Sequence, residues 1–422
     1  MKLLIKGATV VNPVQQTMKV QDVLVVDGKI AQIGERLAVP QDAEVYPADG
    51  LVLAPGLVDL HAHLREPGYE YKETIASGAR SAAAGGFTTV CCMANTHPVN
   101  DIGAITQFIL EKAKEADVRV LPIGAISKGL KGEGLAEIGE LKESGCIAIS
   151  DDGKTIMDSQ LMRYAMEYAK DFDLPVITHC IDAHLAAQGC MHEGIVSCKL
   201  GVKGISSAAE DIIIARDIQL AKLTGARLHV AHVSTQGGVE LVRQAKQQGV
   251  AVTAEVTPHH LTLTDEACSH YDTHTKMCPP LRTQSDIDAL IAGLADGTID
   301  AIATDHAPHA IVDKEVEFER AAMGVIGFET AFSLAMRLVE SKKLTFIELI
   351  QKLSYQPHRL VMPQELYFET GARADLILID LQKIWEYDVT KSYSKSRNSP
   401  FHGWQLKGKV MATMVAGKWV YG

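Results

Sequence analysis

The chain has 422 residues, 47% hydrophobic and 22% charged, the balance of a globular protein that can bury a large core without disulfide staples. Its 41 basic and 52 acidic residues leave a formal charge of −11 and no basic tract, which argues against nucleic acid as a partner. The eight cysteines form no CxxC pair, which argues against a zinc ribbon or a dithiol redox centre; reduced, mostly buried thiols are expected.

The chain begins MKLLIKGATVVNPV, with Lys6 where a signal peptide needs an apolar core, and no run approaches the ~18 apolar residues of a membrane span. It is read as cytoplasmic. Residues 1–55 alternate β-rich runs with turns, LLIKGATVV, DVLVVDGKIAQIG and LVLAPG, and Asp27-Gly28 is a hairpin signal. Residues 366–422 are alike, with ADLILIDL, KGKVMATMVAGKWVYG and a turn expected at Gly417-Lys418. The two ends predict one small β-sandwich domain formed from both chain termini.

Residues 56–365 have another rhythm. Short β-branched runs (GLVDLHAH, FTTVCCMAN, VRVLPIGAI, CIAISDD, PVITHC, RLHVAHVS, VAVTAEVTPHH, DAIATDHAPH) alternate with helix-like stretches such as SQLMRYAMEYAKD and GGVELVRQAKQQG. Eight strands with helical crossovers predict an α/β fold, a (β/α)8 TIM-type barrel. Such barrels carry their active sites at the C-terminal strand ends. Here those ends bear His61 and His63 on the first strand, Asp151-Asp152 on the fourth, His179 on the fifth, His232 on the sixth and Asp305 on the eighth.

Side chains alternate along a strand, so His61 and His63 point one way and Ala62 the other. Two imidazoles on one face, joined by His179, His232 and Asp305 from other strands, form a metal-ligand set suited to zinc; manganese or cobalt could take the same donors. Two metals need a bridge. Only one of Asp151 and Asp152 can face the site, and Lys154, with the parity of Asp152, would compete as a carbamylated bridge. His259 and His260 are expected in packing or support. His97, His184, His192, His270, His274, His358 and His402 are expected on the surface or in loops, and Cys91-Cys92 in the core.

The motifs DLHAHLREPGYEYKET, MANTHPV, ISDDG, ITHC, HVAHVS, AEVTPHHL, ATDHAPH and GFETA resemble dihydroorotase of the bacterial class I type, within the amidohydrolase superfamily. HLREPG is the most specific of them. The resemblance spans nearly the whole chain. It implies two zinc ions per subunit, one on His61, His63 and Asp305, the other on His179 and His232, bridged by Asp152 and hydroxide. It implies that Arg65, Asn95 and His309 grip the substrate carboxylate, that His63, Cys278, Met323 and Gly324 also contact substrate, and that the segment around Lys314 is a mobile loop. The expected reaction is reversible hydrolysis of (S)-dihydroorotate to N-carbamoyl-L-aspartate in pyrimidine biosynthesis. The metal-bridging hydroxide would attack the ring amide, with Asp305 as the catalytic proton shuttle. A homodimer and association with aspartate transcarbamoylase are further implications.

Two positions depart from the family pattern. Cys278 stands in KMCPPLR where Asn is typical, and Ala322-Met323-Gly324 stands where Pro-Phe-Gly is frequent. Both are expected on the substrate side, and one lost neutral hydrogen bond is worth about 0.5–1.5 kcal/mol. The competing readings are an allantoinase or hydantoinase, which would place a lysine at the fourth strand end, and a non-catalytic partner of aspartate transcarbamoylase, which would have lost ligands.

Overall fold

The computed structural model describes residues 2–422. Strands are numbered along the chain: β1 (Lys2–Asn12), β2 (Thr17–Val26), β3 (Lys29–Gly34), β4 (Ala43–Pro47), β5 (Val52–Pro55), β6 (Leu57–Ala62), β7 (Phe87–Cys92), β8 (Arg119–Pro122) and β9 (Ile149–Ser150). They continue with β10 (Val176–Thr178), β11 (Met191–His192), β12 (Gly204–Ile205), β13 (Leu228–Val230), β14 (Val252–Val256), β15 (Ala301–Ile302), β16 (Leu376–Glu386), β17 (Gln405–Val415) and β18 (Lys418–Tyr421).

Both chain ends enter one eight-stranded sheet, in the order β18-β17-β16-β5-β1-β2-β3 with β4 on β1. The β2–β3 hairpin turns on Asp27 and Gly28, both at positive φ, as a two-residue turn matching strand twist requires. The C-terminal hairpin turns one residue earlier than expected, on Ala416 and Gly417, and Lys418 already belongs to β18. Leu3, Ile5, Val23, Val25, Leu53, Leu378 and Met414 form the core of this sheet.

The middle of the chain is mixed α/β. Strands β6-β7-β8 make one parallel ladder and β9-β10-β13-β14-β15 another. Isolated parallel bridges, Gly124 to Ile149 and Ala62 to His306, connect the two ladders at both edges. The expected helices form at Ile75–Ala84, Ser159–Asp171, Ser207–Thr224, Gln236–Gln247 and Gln284–Asp296, and Gly103–Ala113 and Phe328–Glu340 fill the crossovers after β7 and β15. The helix at Ile75 starts where it does because Thr74 and Ser77 satisfy each other's backbone N–H groups in a capping box. The small β11–β12 ribbon inside the β10-to-β13 crossover was not anticipated; two-residue strands carry no readable period.

Strands β6 and β7 are buried along their whole length, and their two faces meet different cores. Val58, Leu60, Cys91, Met93, Leu121, Ile123, Ile177 and Ala303 share an inner cluster. Leu57, Ala62, Phe87, Val90 and Cys92 pack with the helices instead. The neighbouring Cys91 and Cys92 therefore face opposite layers, both buried, and all eight cysteines are free thiols. His358, expected on the surface, is buried beside Tyr367, with ring centroids 4.8 Å apart.

Phe87 meets Phe328 at 5.6 Å between centroids and is fully buried. Phe87→Ala is expected to lower unfolding free energy by about 3–5 kcal/mol in chemical denaturation. A loss below about 1 kcal/mol would show that this strand–helix contact is not part of the supporting core.

Candidate metal centre

The strand ends converge as the parallel order requires. His61 and His63 flank Ala62, which faces the helices, while both imidazoles enter one buried cluster with centroids 5.5 Å apart. Asp152, just past β9, lies among them. Its Oδ1 is 3.2 Å from His61 Nε2, 3.4 Å from His232 Nε2 and 3.6 Å from His179 Nδ1, and its Oδ2 is 3.4 Å from His63 Nε2. Two groups of ligand atoms result, His61-His63-Asp152 and Asp152-His179-His232, with Asp152 common to both. Asp305 Oδ1 approaches His63 Nε2 at 3.1 Å and His61 Nε2 at 3.6 Å.

The donor set fits a divalent cation. His61 Nε2 and Asp152 Oδ1 are buried and have no hydrogen-bond partner. Buried polar atoms are rarely left so, because desolvation without a partner is costly. Imidazoles and carboxylates are also the ordinary ligands of zinc and related metals.

The fold decides between neighbouring candidates. Asp151 turns away and accepts hydrogen bonds from Ile126 N at 2.7 Å and Ser127 N at 2.9 Å. Burial raises its carboxyl to about 6 despite those bonds. Lys154 is exposed and stays out of the cluster. Arg65, His232 and Asp305 all hold positive φ, a conformation costly for non-glycine residues, which surrounding structure must impose.

A family model described as dihydro-orotase-like matches residues 50–238. The dihydroorotase of Syntrophus aciditrophicus (strain SB) is 51% identical, the match covering 100% of this chain and 99% of that one. That of Citrifermentans bemidjiense is 52% identical, with 100% of each chain covered. This chain belongs to the dihydroorotase family. Among solved structures, the L-hydantoinase (dihydropyrimidinase) from Arthrobacter aurescens superposes with a TM-score of 0.87 at 25% identity, covering 99% of this chain and 96% of that one. The dihydropyrimidinase from Brevibacillus agri NCHU1002 gives 0.86 at 23% identity, covering 100% and 95%, and shares the fold.

Beside the cluster lies a cavity of about 270 Å³. Every site residue expected from sequence lines it except His61, which is buried beneath. Arg65, two places after the HxH pair, lies at its wall. Its Nε donates to Pro308 O at 3.1 Å and its Nη2 lies 3.4 Å from His309 Nε2. Burial lowers the basicity of its guanidinium, opposed by the charges of Asp305 and Asp152. Burial, with Arg65, Lys72 and Lys314 nearby, drives His309 down to about 2, so that imidazole is neutral. Asn95 Oδ1 sits 2.8 Å from His63 Nδ1.

Cys278 lies between the cavity and the ligand cluster. It lines the cavity, but its Sγ is also 3.8 Å from His179 Nε2, so it touches the ligand cluster from behind. Met323 is engaged through its carbonyl, 2.9 Å from His309 Nε2. Lys314 is buried, and its Nζ donates to Ala322 O at 2.7 Å. His192, expected on the surface, is buried with Nδ1 3.2 Å from Arg282 Nη1. His259 and His260 are buried as expected of packing residues, and His260 Nε2 is bound to Pro279 O at 3.0 Å.

Glu255 was overlooked in the sequence. It stands on β14, with Oε1 2.8 Å from His61 Nδ1 and Oε2 3.1 Å from His229 Nε2. Burial opposes its charge, but the bonds from His229 and His61 prevail and bring its carboxyl to about 2. The readable signal is a lone charged residue inside the strand VTAEV. By holding Nδ1 it leaves His61 Nε2 aimed at the cluster. Glu255→Ala is expected to weaken metal binding about 10–100-fold in a chelator competition. Unchanged affinity would remove Glu255 from the support of His61.

Proposed function

We propose that this chain is a dihydroorotase, hydrolysing the cyclic amide of (S)-dihydroorotate reversibly to N-carbamoyl-L-aspartate in pyrimidine biosynthesis. The observation that carries the reading is a half-buried guanidinium, Arg65, in the same cavity as the histidine–aspartate cluster. An anionic substrate with a hydrolysable amide matches both. His61, His63 and Asp305 would hold one zinc ion, His179 and His232 a second, with Asp152 shared. Bound there, the metals would lower the pKa of water and polarise the amide carbonyl.

The chain's own residues do the rest. Arg65 binds the substrate carboxylate with a two-pronged contact, helped by Asn95 and His309. The cavity wall at Cys278, Met323 and Gly324 orients the ring. Water adds its oxygen to the amide carbon as the C–N bond breaks. Asp305 takes the proton from that water and delivers it to the departing ring nitrogen. In the reverse direction the same carboxyl returns the proton as the ring closes.

The two parallel ladders and their edge bridges support a closed (β/α)8 barrel over residues 56–365, with residues 1–55 and 366–422 as an accessory β-sandwich unit. No described helix is long and apolar enough to cross a membrane; the reading is of a cytoplasmic homodimer. The complete ligand set favours an enzyme over a non-catalytic partner of aspartate transcarbamoylase. Exposed Lys154, and Arg65 at the cavity wall, favour dihydroorotate over the neutral rings of a hydantoinase or allantoinase.

The metal-loaded protein is expected to turn over dihydroorotate; activity on hydantoin or allantoin alone would overturn the assignment. Asp305→Asn should keep the fold by circular dichroism yet lose at least about a hundredfold in kcat, and near-normal turnover would refute the proton shuttle. Arg65→Met should raise KM about ten- to a hundredfold, from loss of a charged hydrogen bond worth about 1.5–3 kcal/mol. Unchanged saturation would exclude its role on the carboxylate.

A further inference from the structure

One wall of the cavity is backbone from two separate segments. Residues 307–309 follow Asp305, and Met323-Gly324 arrive from the far end of the next loop. Ala307 N donates to Val325 O at 2.8 Å, joining the segments behind the wall. Gly324 can lie there only as glycine, with φ of +132° and an added Cβ 2.6 Å from the Ala307 Cβ.

A third segment, near the C-terminal end of the chain, ties them together. Asn398 is buried, and its Nδ2 donates to Ala307 O at 2.9 Å and to Gly324 O at 3.0 Å. Its Oδ1 accepts from His309 N at 3.0 Å, and its own carbonyl accepts from Ile326 N at 2.9 Å. Both side-chain N–H groups and the side-chain oxygen are thus committed to the wall, which fixes the orientation of the amide. The Gly324 carbonyl takes a second donor, Lys314 Nζ at 3.1 Å. That ammonium also donates to Ala322 O, so this buried cation is spent on backbone carbonyls of the wall. From the other side, Gly324 N donates to Lys276 O at 2.9 Å.

These bonds reach the substrate-binding groups. His309 is held at its backbone by Asn398 and at its ring by Met323 O, and Arg65 Nε is anchored on Pro308 O within the same wall. Neither Asn398 nor Lys314 lines the cavity. We propose that Asn398 and Lys314 are positioning residues: together they clamp the Gly324 carbonyl and set where Arg65 and His309 meet the carboxylate end of the substrate. The inference rests on the dihydroorotase reading and adds to it two residues that act through the wall.

The test is steady-state kinetics and metal content of the full chain with Asn398→Asp or Lys314→Met. Asn398→Asp keeps size and the acceptor for His309 N–H, but turns a carboxylate oxygen toward the carbonyls of Ala307 and Gly324. Lys314→Met keeps length and removes the second donor. Each is expected to raise KM for dihydroorotate about tenfold or more, with kcat within about threefold and bound metal unchanged. Unchanged KM in folded variants overturns the clamp, and so does a parallel loss of kcat and metal, which marks general disruption. If Asn398→Asp fails to fold, Lys314→Met decides alone, because it acts on the same carbonyl. A wild-type chain inert on dihydroorotate overturns the function and the clamp with it; an active wild type with unshifted variants overturns the clamp alone.

Discussion

Four imidazoles within 3.6 Å of a single buried carboxylate, that of Asp152, are the arrangement on which the site depends. Gathering such groups out of water is unfavourable unless each finds a partner or a cation. The protein pays part of that cost in advance. Glu255 secures His61 from behind, Asn95 secures His63, and Cys278 backs His179. His232 and Asp305 are held in left-handed backbone conformations that a free chain would avoid.

That burden is carried by an apolar floor. Val58, Leu60, Cys91, Leu121 and Ile177 fill the inner layer below the rim, and the opposite strand faces pack on helices. The cluster forms at the ends of these strands, where backbone ladders stop. Asp151 and Asp152 illustrate the break: one carboxylate folds back onto Ile126 and Ser127, and its neighbour enters the cluster.

The substrate side is built differently. Its wall is backbone from distant segments, cross-linked by Asn398 and Lys314, and Arg65 and His309 stand beside it. Met323 enters this wall through its carbonyl, which is bound to His309. The Cys278 departure is shared between wall and ligand cluster, since its thiol contacts His179.

Much of this was legible in the chain. Period-2 runs separated by helical stretches located most strands and helices, and HxH parity placed His61 and His63 on one face, because both patterns are local consequences of backbone geometry. The strand-end position of His179, His232 and Asp305 followed from the same rhythm, and HLREPG pointed to the family. Other features arise only between residues distant in sequence. Glu255 reads as a stray acid in a strand until β14 brings it to His61, 194 positions away. Asn398 carries no motif, Lys314 is expected only as part of a mobile loop, and His192 and His358 look like surface or loop histidines until packing encloses them. The choice of Asp152 over Asp151 and Lys154 likewise belonged to the tertiary structure. Sequence pattern reports what each segment presents on its faces; which buried donor meets which acceptor depends on how distant segments pack.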